Sequence, residues 1–269
     1  MTILRLHSLA DQRLKVFTGL TNHQLRNSLD PSRGIVIVES EIAIRVALQQ
    51  GLSPVSFLLS EGKAHAMQDV LKDVDNDVPV FILDEDLAEE LTGYRVTRGA
   101  LCAMMRPALP SVRELLEGAS HIVVLEGITD TSNVGAIFRN AAALGADGVI
   151  VAPTCADPMS RRAVRVSMGN VFLVPWTRAQ GKWPEATVGE LEKRGFECLA
   201  LALADDAVEI QNMAGDGCNR ALFFGSEGKG LSDQVLRACK RSVIIPMHRG
   251  VDSLNVAASS AIAMWELFR

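Results

Sequence analysis

The sequence predicts an α/β protein with a C-terminal sheet whose strands run mostly parallel and are covered by helices on both faces. Short apolar runs such as GIVIVES (34–40), HIVVLEG (121–127) and GVIVAP (148–153) alternate with segments of helical period along the chain. These runs are continuous instead of alternating with polar residues, as strands buried on both faces require. Pro107 and Pro110, followed by the capping-box pattern SVRE at 111–114, interrupt the series once and divide the chain into 1–106 and 107–269.

In the first part, GIVIVES is a buried strand and EIAIRVALQQG (41–51) a helix closed by Gly51. PVSFLLS (54–60) and VPVFILD (78–84) are strands, with a charged helix over 63–74 between them, and GALCAMMRP (99–107) is another strand. In the second part HIVVLEG leads into a helix over 134–145, rich in small residues. GVIVAP, a basic helix over 158–168 and a strand VFLVP (171–175) follow. A helix near 184–195, strands ECLALAL (197–203) and RALFFGS (220–226), a short helix near 232–239 and strand SVIIPM (242–247) lead to a final helix. In that helix Leu254, Ala258, Ala261, Trp265 and Phe268 share one face, and Ser253 or Asp252 can cap its first turn. Asn255 has no part in that description.

Composition narrows the function. The chain of 269 residues is 48% hydrophobic and 22% charged, enough apolar content for a full core. No uncharged run reaches the roughly 18 apolar residues of a membrane span, and charges interrupt the opening MTILRLHSLADQRLKVF, unlike a signal peptide. Cys102, Cys155, Cys198, Cys218 and Cys239 are scattered and odd in number, which points to a reducing cytoplasm and away from disulfides or zinc. The histidines are equally dispersed and no metal site is expected. A net charge of −5 speaks against a uniformly basic nucleic-acid binder. Three basic groups stand out against it: Arg5, Arg13, Lys15, Arg26 and Arg33 near the start, Arg161, Arg162 and Arg165, and Arg237, Lys240, Arg241 and Arg249. Each can be a solvated face, and together they can form a local anion-binding surface.

Three loops carry the chemistry. In ITDTSNVGAIFRNAAALGADGVIV (128–151), Asn133, Gly135 and Arg139 follow a strand end, where open α/β sheets bind ligands. Asn133 can be a helix cap; Arg139 interrupts a small, apolar helix and needs an anion, a carbonyl or a salt bridge. In LFFGSEGKGLSDQ (222–234), three glycines in six residues allow close backbone approach. The order is neither a P-loop nor GxGxxG, and Glu227 in its middle suits a neutral or cationic ligand better than phosphate. In VIIPMHRGVDSLNVAAS (243–259), a strand passes through Ile245, Pro246 and Met247 into Ser253, Leu254 and Asn255.

In order and content these loops resemble the three motifs of the SpoU (TrmH-like) branch of the SPOUT RNA methyltransferases: N-x-G-A-x-x-R, G-S-E-G-x-G-L-S, and I-P-M followed by S-L-N-V. The resemblance is close over 119–269 and looser over 1–106, which is similar to the small α/β RNA-recognition domain preceding many members. TRGALCAMM (97–105) departs from the His-Gln-Gly-like start that relatives often carry there. The resemblance implies a C-terminal parallel sheet tied in a deep trefoil knot, an exception to the rule against threading. It also implies transfer of a methyl group from S-adenosylmethionine to a ribose 2′-hydroxyl, without a metal, by a homodimer. It places Arg139, Asn133, Glu227, Ser253 and Asn255 at the catalytic centre and Gly225, Ile245, Met247 and Leu254 on the cofactor. RNA is expected along Arg161, Arg162 and Arg165, and ribosomal RNA is favoured over transfer RNA because of the extra N-terminal domain. Arg139 is too basic to be a ready proton acceptor, so phosphate positioning and alkoxide stabilisation are its expected roles. The apolar face of the last helix suits either a dimer interface or burial in one subunit. The rival readings are a non-catalytic RNA- or ribosome-binding protein on the same fold and, lacking any GxGxxG, a nucleotide-dependent oxidoreductase.

Overall fold

The computed structural model describes residues 2–18, 24–25, 34–92, 99–204, 206–213 and 217–268. The chain forms two compact units, one of residues 1–108 with 159–172 and one of 109–158 with 173–269.

The first unit holds strands β1 (Thr2–Leu6), β2 (Ile35–Glu39), β3 (Pro54–Ser60), β4 (Pro79–Leu83) and β5 (Ala100–Met105) in the order β1-β4-β3-β5-β2. This sheet is mixed. β4 is parallel to β1 and β3, whereas β5 is antiparallel to both its neighbours. The helical segment between β3 and β4 is two short helices, α3 (Glu61–Ala66) and α4 (Gln68–Lys72), after α1 (Lys15–Thr18) and α2 (Glu41–Gln49) and before α5 (Glu85–Thr92). Leu6, Leu14, Phe17, Ile37, Leu58, Phe81 and Leu101 form one core, as the apolar alternation of the strands dictates.

Of the basic residues near the start, Arg26 and Arg33 lie outside the described residues. Arg13 is paired with Asp11 and Arg5 with Glu61. The basic helix of the sequence is α8 (Arg161–Val166), capped by the Ser160 hydroxyl, and it belongs to this unit. Arg161 donates to Glu39 at 2.9 Å, and Arg165 reaches the same carboxylate at 3.6 Å. Behind α8, Gly169 at φ +84° comes so close to α2 that an added Cβ would lie 3.0 Å from the Ala43 Cα. The strand expected at VFLVP is not formed: Asn170–Phe172 is a 3₁₀ turn. The nearest strand begins only at Trp176.

The second unit carries helix α6 (Val112–Leu115) and then β6 (His121–Leu125), α7 (Thr131–Ala143), β7 (Gly148–Val151) and β8 (Trp176–Arg178). After these come α9 (Glu185–Lys193), β9 (Glu197–Leu201), β10 (Val208–Glu209), β11 (Arg220–Phe224), α10 (Asp233–Cys239), β12 (Ser242–Ile244) and α11 (Val256–Leu267). The seven strands run in the order β10-β12-β9-β11-β6-β7-β8, and every pairing is parallel. All strand ends therefore point one way, and the loops after β6, β11 and β12 open on one edge. One face of the sheet is packed by Val124, Ile150, Phe223, Leu191 and Val235, among others. Phe138 of α7 lies edge-on against Trp176, with ring centroids 6.0 Å apart.

The last helix corrects two expectations. Its cap is Asn255, whose side-chain oxygen accepts from the Ala257 amide at 2.9 Å, and neither Ser253 nor Asp252 caps it. Its buried face is Val256, Ser260, Ala263, Met264 and Leu267. Of the stripe read from the sequence, Phe268 is buried, but Leu254 is 40% exposed, Trp265 57%, and Ala258 also faces outward. The helix is apolar nearly all round, so periodicity could not choose its inner face. Its far end is pinned by Arg220, which is fully buried and donates to the Leu267 carbonyl at 3.2 Å and to the Met213 carbonyl. A cation at the open carbonyls of a helix C-terminus is a favourable placement.

Candidate functional site

The loop after β11 is a tight turn. The Ser226 amide donates to the Gly230 carbonyl at 3.2 Å, and the Gly230 amide returns to Ser226 at 2.8 Å. Gly230 takes φ +66°, in the left-handed region that glycine adopts without strain. Gly225 lies against this turn: an added Cβ would sit 2.2 Å from the Gly230 carbonyl carbon and 2.3 Å from the Leu231 nitrogen. Here glycine is a steric requirement.

Beside the turn is a cavity of about 480 Å³ between the ends of β9, β11 and β12. Gly225, Ile245, Met247 and Leu254, assigned to the cofactor from the sequence, all line it, as do Glu227 and Ser253. Its walls combine Leu201, Val243 and Leu236 with the acidic side chains of Glu227, Asp233 and Asp252. Backbone edges, apolar walls and carboxylates suit a flat heterocycle that carries positive charge elsewhere in the molecule.

The three motifs meet at Glu227. Asn133, on the third residue of α7 and buried, donates to the Glu227 carboxylate at 3.2 Å. Asn255 donates to the same carboxylate oxygen and, at 3.1 Å, to the Asn133 carbonyl oxygen. Asn133 is therefore not the cap of α7. That position is Asp130, which accepts from the Ser132 amide. Asn255 does two jobs, with its oxygen on the helix and its amide nitrogen on the site. A second tie follows along the same pair of helices: Asn140 donates to the Ala257 carbonyl at 2.8 Å and to the Ser260 hydroxyl at 3.0 Å.

Arg139 stands apart. It is exposed, makes no ion pair with the described residues and is not in the cavity wall. Six residues beyond Asn133, it lies roughly 9 Å further along the helix axis. Arg161 and Arg165 are engaged with Glu39 in the other unit, while Arg162 is exposed. Lys240 and Arg241 of the third basic group pair with Glu192 and Glu197. Among the described residues no cluster of three or more His, Cys, Asp or Glu could hold a metal ion.

The sequence reading missed Asn140, Arg220 and Glu126. Glu126, buried at the end of β6, accepts from Trp183 Nε1 at 2.7 Å, from the Ser232 amide at 2.7 Å and from the Ser232 hydroxyl at 3.0 Å. The only sequence signal for it is a carboxylate directly after an apolar strand.

The model of the SpoU rRNA Methylase family matches residues 120–265. An uncharacterised tRNA/rRNA methyltransferase of Mycobacterium bovis is 37% identical over 261 residues, 96% of this chain and 89% of the relative. Among solved structures, an AdoMet-bound rRNA methyltransferase from Sinorhizobium meliloti superposes with a TM-score of 0.83 at 23% identity, over 98% of this chain and 96% of that one. An RNA 2′-O ribose methyltransferase superposes with a TM-score of 0.74 at 25% identity, over 97% of both chains. With two of its motif loops lining one cavity, the first tied to them through Glu227, and the family match spanning all three, the chain belongs to the SpoU rRNA methylase family and is an RNA methyltransferase of the SpoU/TrmH type.

Proposed function

We propose that the chain transfers a methyl group from S-adenosylmethionine to a ribose 2′-hydroxyl of RNA, with ribosomal RNA as substrate. The observation that carries this is the meeting of Asn133 and Asn255 at Glu227, which itself lines a cavity with Gly225, Ile245, Met247 and Leu254. The 2′-O position draws support from the similar RNA 2′-O ribose methyltransferase, and the cofactor from the AdoMet-bound rRNA methyltransferase. The cavity suits the cofactor: Gly225 and Gly230 put close-packed backbone in its wall, Leu201, Val243 and Leu236 give adenine an apolar surface, and Glu227, Asp233 and Asp252 favour a cation. When bound, S-adenosylmethionine supplies a methyl group on a positively charged sulfur.

The protein's part is to hold and orient. Asn133 and Asn255 fix the Glu227 carboxylate without neutralising it, and Ser253 at the rim is placed to donate to or accept from the ribose. Arg139 positions a phosphate and stabilises the developing alkoxide. Because it lies outside the cavity wall of its own protomer, this role needs the guanidinium to be brought there by the RNA or by a second copy. The homodimer belongs to this reading, and the exposed face of α11, with Ile262 and Trp265, offers its interface. So do the knot, a cytoplasmic location and an RNA-recognition domain over 1–106 that precedes the methyltransferase domain over 107–269, with Arg162 available to RNA. A transfer-RNA substrate is the alternative. A non-catalytic binder would have no use for the three-residue hydrogen-bonded cluster.

Radiolabelled S-adenosylmethionine incubated with separate ribosomal and transfer RNA pools tests the proposal. Label is expected as 2′-O-methylated nucleotide in the ribosomal pool, reduced about 10²-fold or more by Arg139→Ala with cofactor binding retained. Label in transfer RNA overturns the substrate, and cofactor binding without label in either pool favours the non-catalytic reading.

A further inference from the structure

We infer that Glu126 is a positioning residue for the cofactor cavity, acting through Ser232 on the glycine-rich turn; the inference rests on the cofactor proposed above. The Glu126 amide donates to the Phe224 carbonyl at 2.9 Å, which fixes Glu126 to the strand that enters the turn. Its carboxylate grips Ser232, where the chain leaves the turn, through both the amide and the hydroxyl. The entry and exit of the turn are thus tied to one residue, 106 positions away from Ser232 in sequence.

The cavity feels this tie directly. Gly230 and Leu231, immediately before Ser232, line the cavity and lie within bonding-scale distance of where a Gly225 Cβ would be. No slack exists there, so displacement of Ser232 shifts the cavity floor against Gly225. Glu126 itself is outside the cavity wall. Its partners are all neutral donors, Trp183 Nε1 and the two groups of Ser232, and two of the three lie on the turn's exit. A glutamine in its place keeps the shape, loses the charge and turns an N–H toward another N–H, either the Ser232 amide or Trp183 Nε1, so one of the three contacts is lost.

Trp183 separates this role from one in stability alone. It bonds the same carboxylate from the segment before α9, away from the turn. The test measures S-adenosylmethionine binding by calorimetry without RNA, together with the thermal midpoint and the cofactor KM, for Glu126→Gln, Ser232→Ala and Trp183→Phe in the full chain. Glu126→Gln and Ser232→Ala are expected to raise the cofactor Kd about tenfold, with KM following and kcat changed far less. Trp183→Phe is expected to lower the midpoint while leaving Kd within about twofold. Unchanged Kd in both Glu126→Gln and Ser232→Ala, or an equal rise in Trp183→Phe, overturns the role of Glu126. Failure of the unsubstituted chain to bind the cofactor overturns instead the function on which the inference rests.

Discussion

Glu39 and Glu227 each stand at or just beyond the carboxyl end of a strand, and each holds two side chains from distant segments. Glu39 is 3% exposed and holds two guanidinium groups, those of Arg161 and Arg165. Glu227 is exposed and holds two amides, those of Asn133 and Asn255. Geometry is satisfied in both places, but the electrostatic outcomes are opposite. Guanidinium partners cancel the charge of Glu39 and turn it into a joint between β2 and α8. Amide partners orient Glu227 and leave its field projecting into the cavity. The chemistry of the partner, more than that of the carboxylate, decides which of the two is available to a ligand.

The largest effect expected from this contrast is on catalysis. Asn255→Ala removes the cap of α11 and both contacts at the site, and methyl transfer should fall by about 10²-fold or more, measured as kcat/KM. Glu227→Gln keeps the volume but loses the charge and should weaken cofactor binding about tenfold with little change in the unfolding midpoint. Full cofactor affinity in Glu227→Gln would break the comparison. Next in size is Glu39→Ala, which removes the carboxylate shared by Arg161 and Arg165 and should destabilise the chain by about 3 kcal/mol in urea unfolding. The lower end of the range for buried pairs applies because the Arg161 and Arg165 side chains are 31% and 29% exposed. Its cofactor Kd should not move.

The smallest effect belongs to two carboxylates at the surface of the first unit, Asp11 half-buried and Asp69 exposed. The Arg13 side chain holds Asp11 down to about 2, and Arg45 holds Asp69 down to about 2, from an ordinary 3.8. A folded-state value below the unfolded one stabilises fully above the ordinary value, and that stabilisation is lost as pH falls through about 2. Urea midpoints should therefore decline modestly from pH 5 to pH 2, less so in high salt, and Asp69→Asn should flatten the decline. A decline that is as steep in high salt would point to buried groups instead.

Most of the strands were legible because a parallel, doubly covered strand writes an uninterrupted apolar run. HIVVL, GVIV and RALFF all became paired strands. The same rule misread VFLVP, where an apolar run makes a 3₁₀ turn instead, with Val171 and Val174 buried. The inner face of α11 was illegible because small and apolar residues surround the helix. The motif residues at the cavity were legible as a set, since their order along the chain points to one family. Their meeting at one carboxylate was not, because the parallel register of β6 with β11 brings those loops together. Glu126 and Arg220 gave almost no signal, since their partners at Ser232 and Leu267 lie 106 and 47 residues away.

The hydrogen bonds of the three-residue cluster span 94, 122 and 28 residues of sequence. Closing such loops costs entropy before any of these contacts repays it, which slows the formation of non-local contacts. No local fragment of the chain can assemble the cluster on its own, and opening of α11 alone removes Asn255 from it. In the proposed reaction, methyl transfer therefore reports on folding of the second unit: a chain that is active has closed these loops.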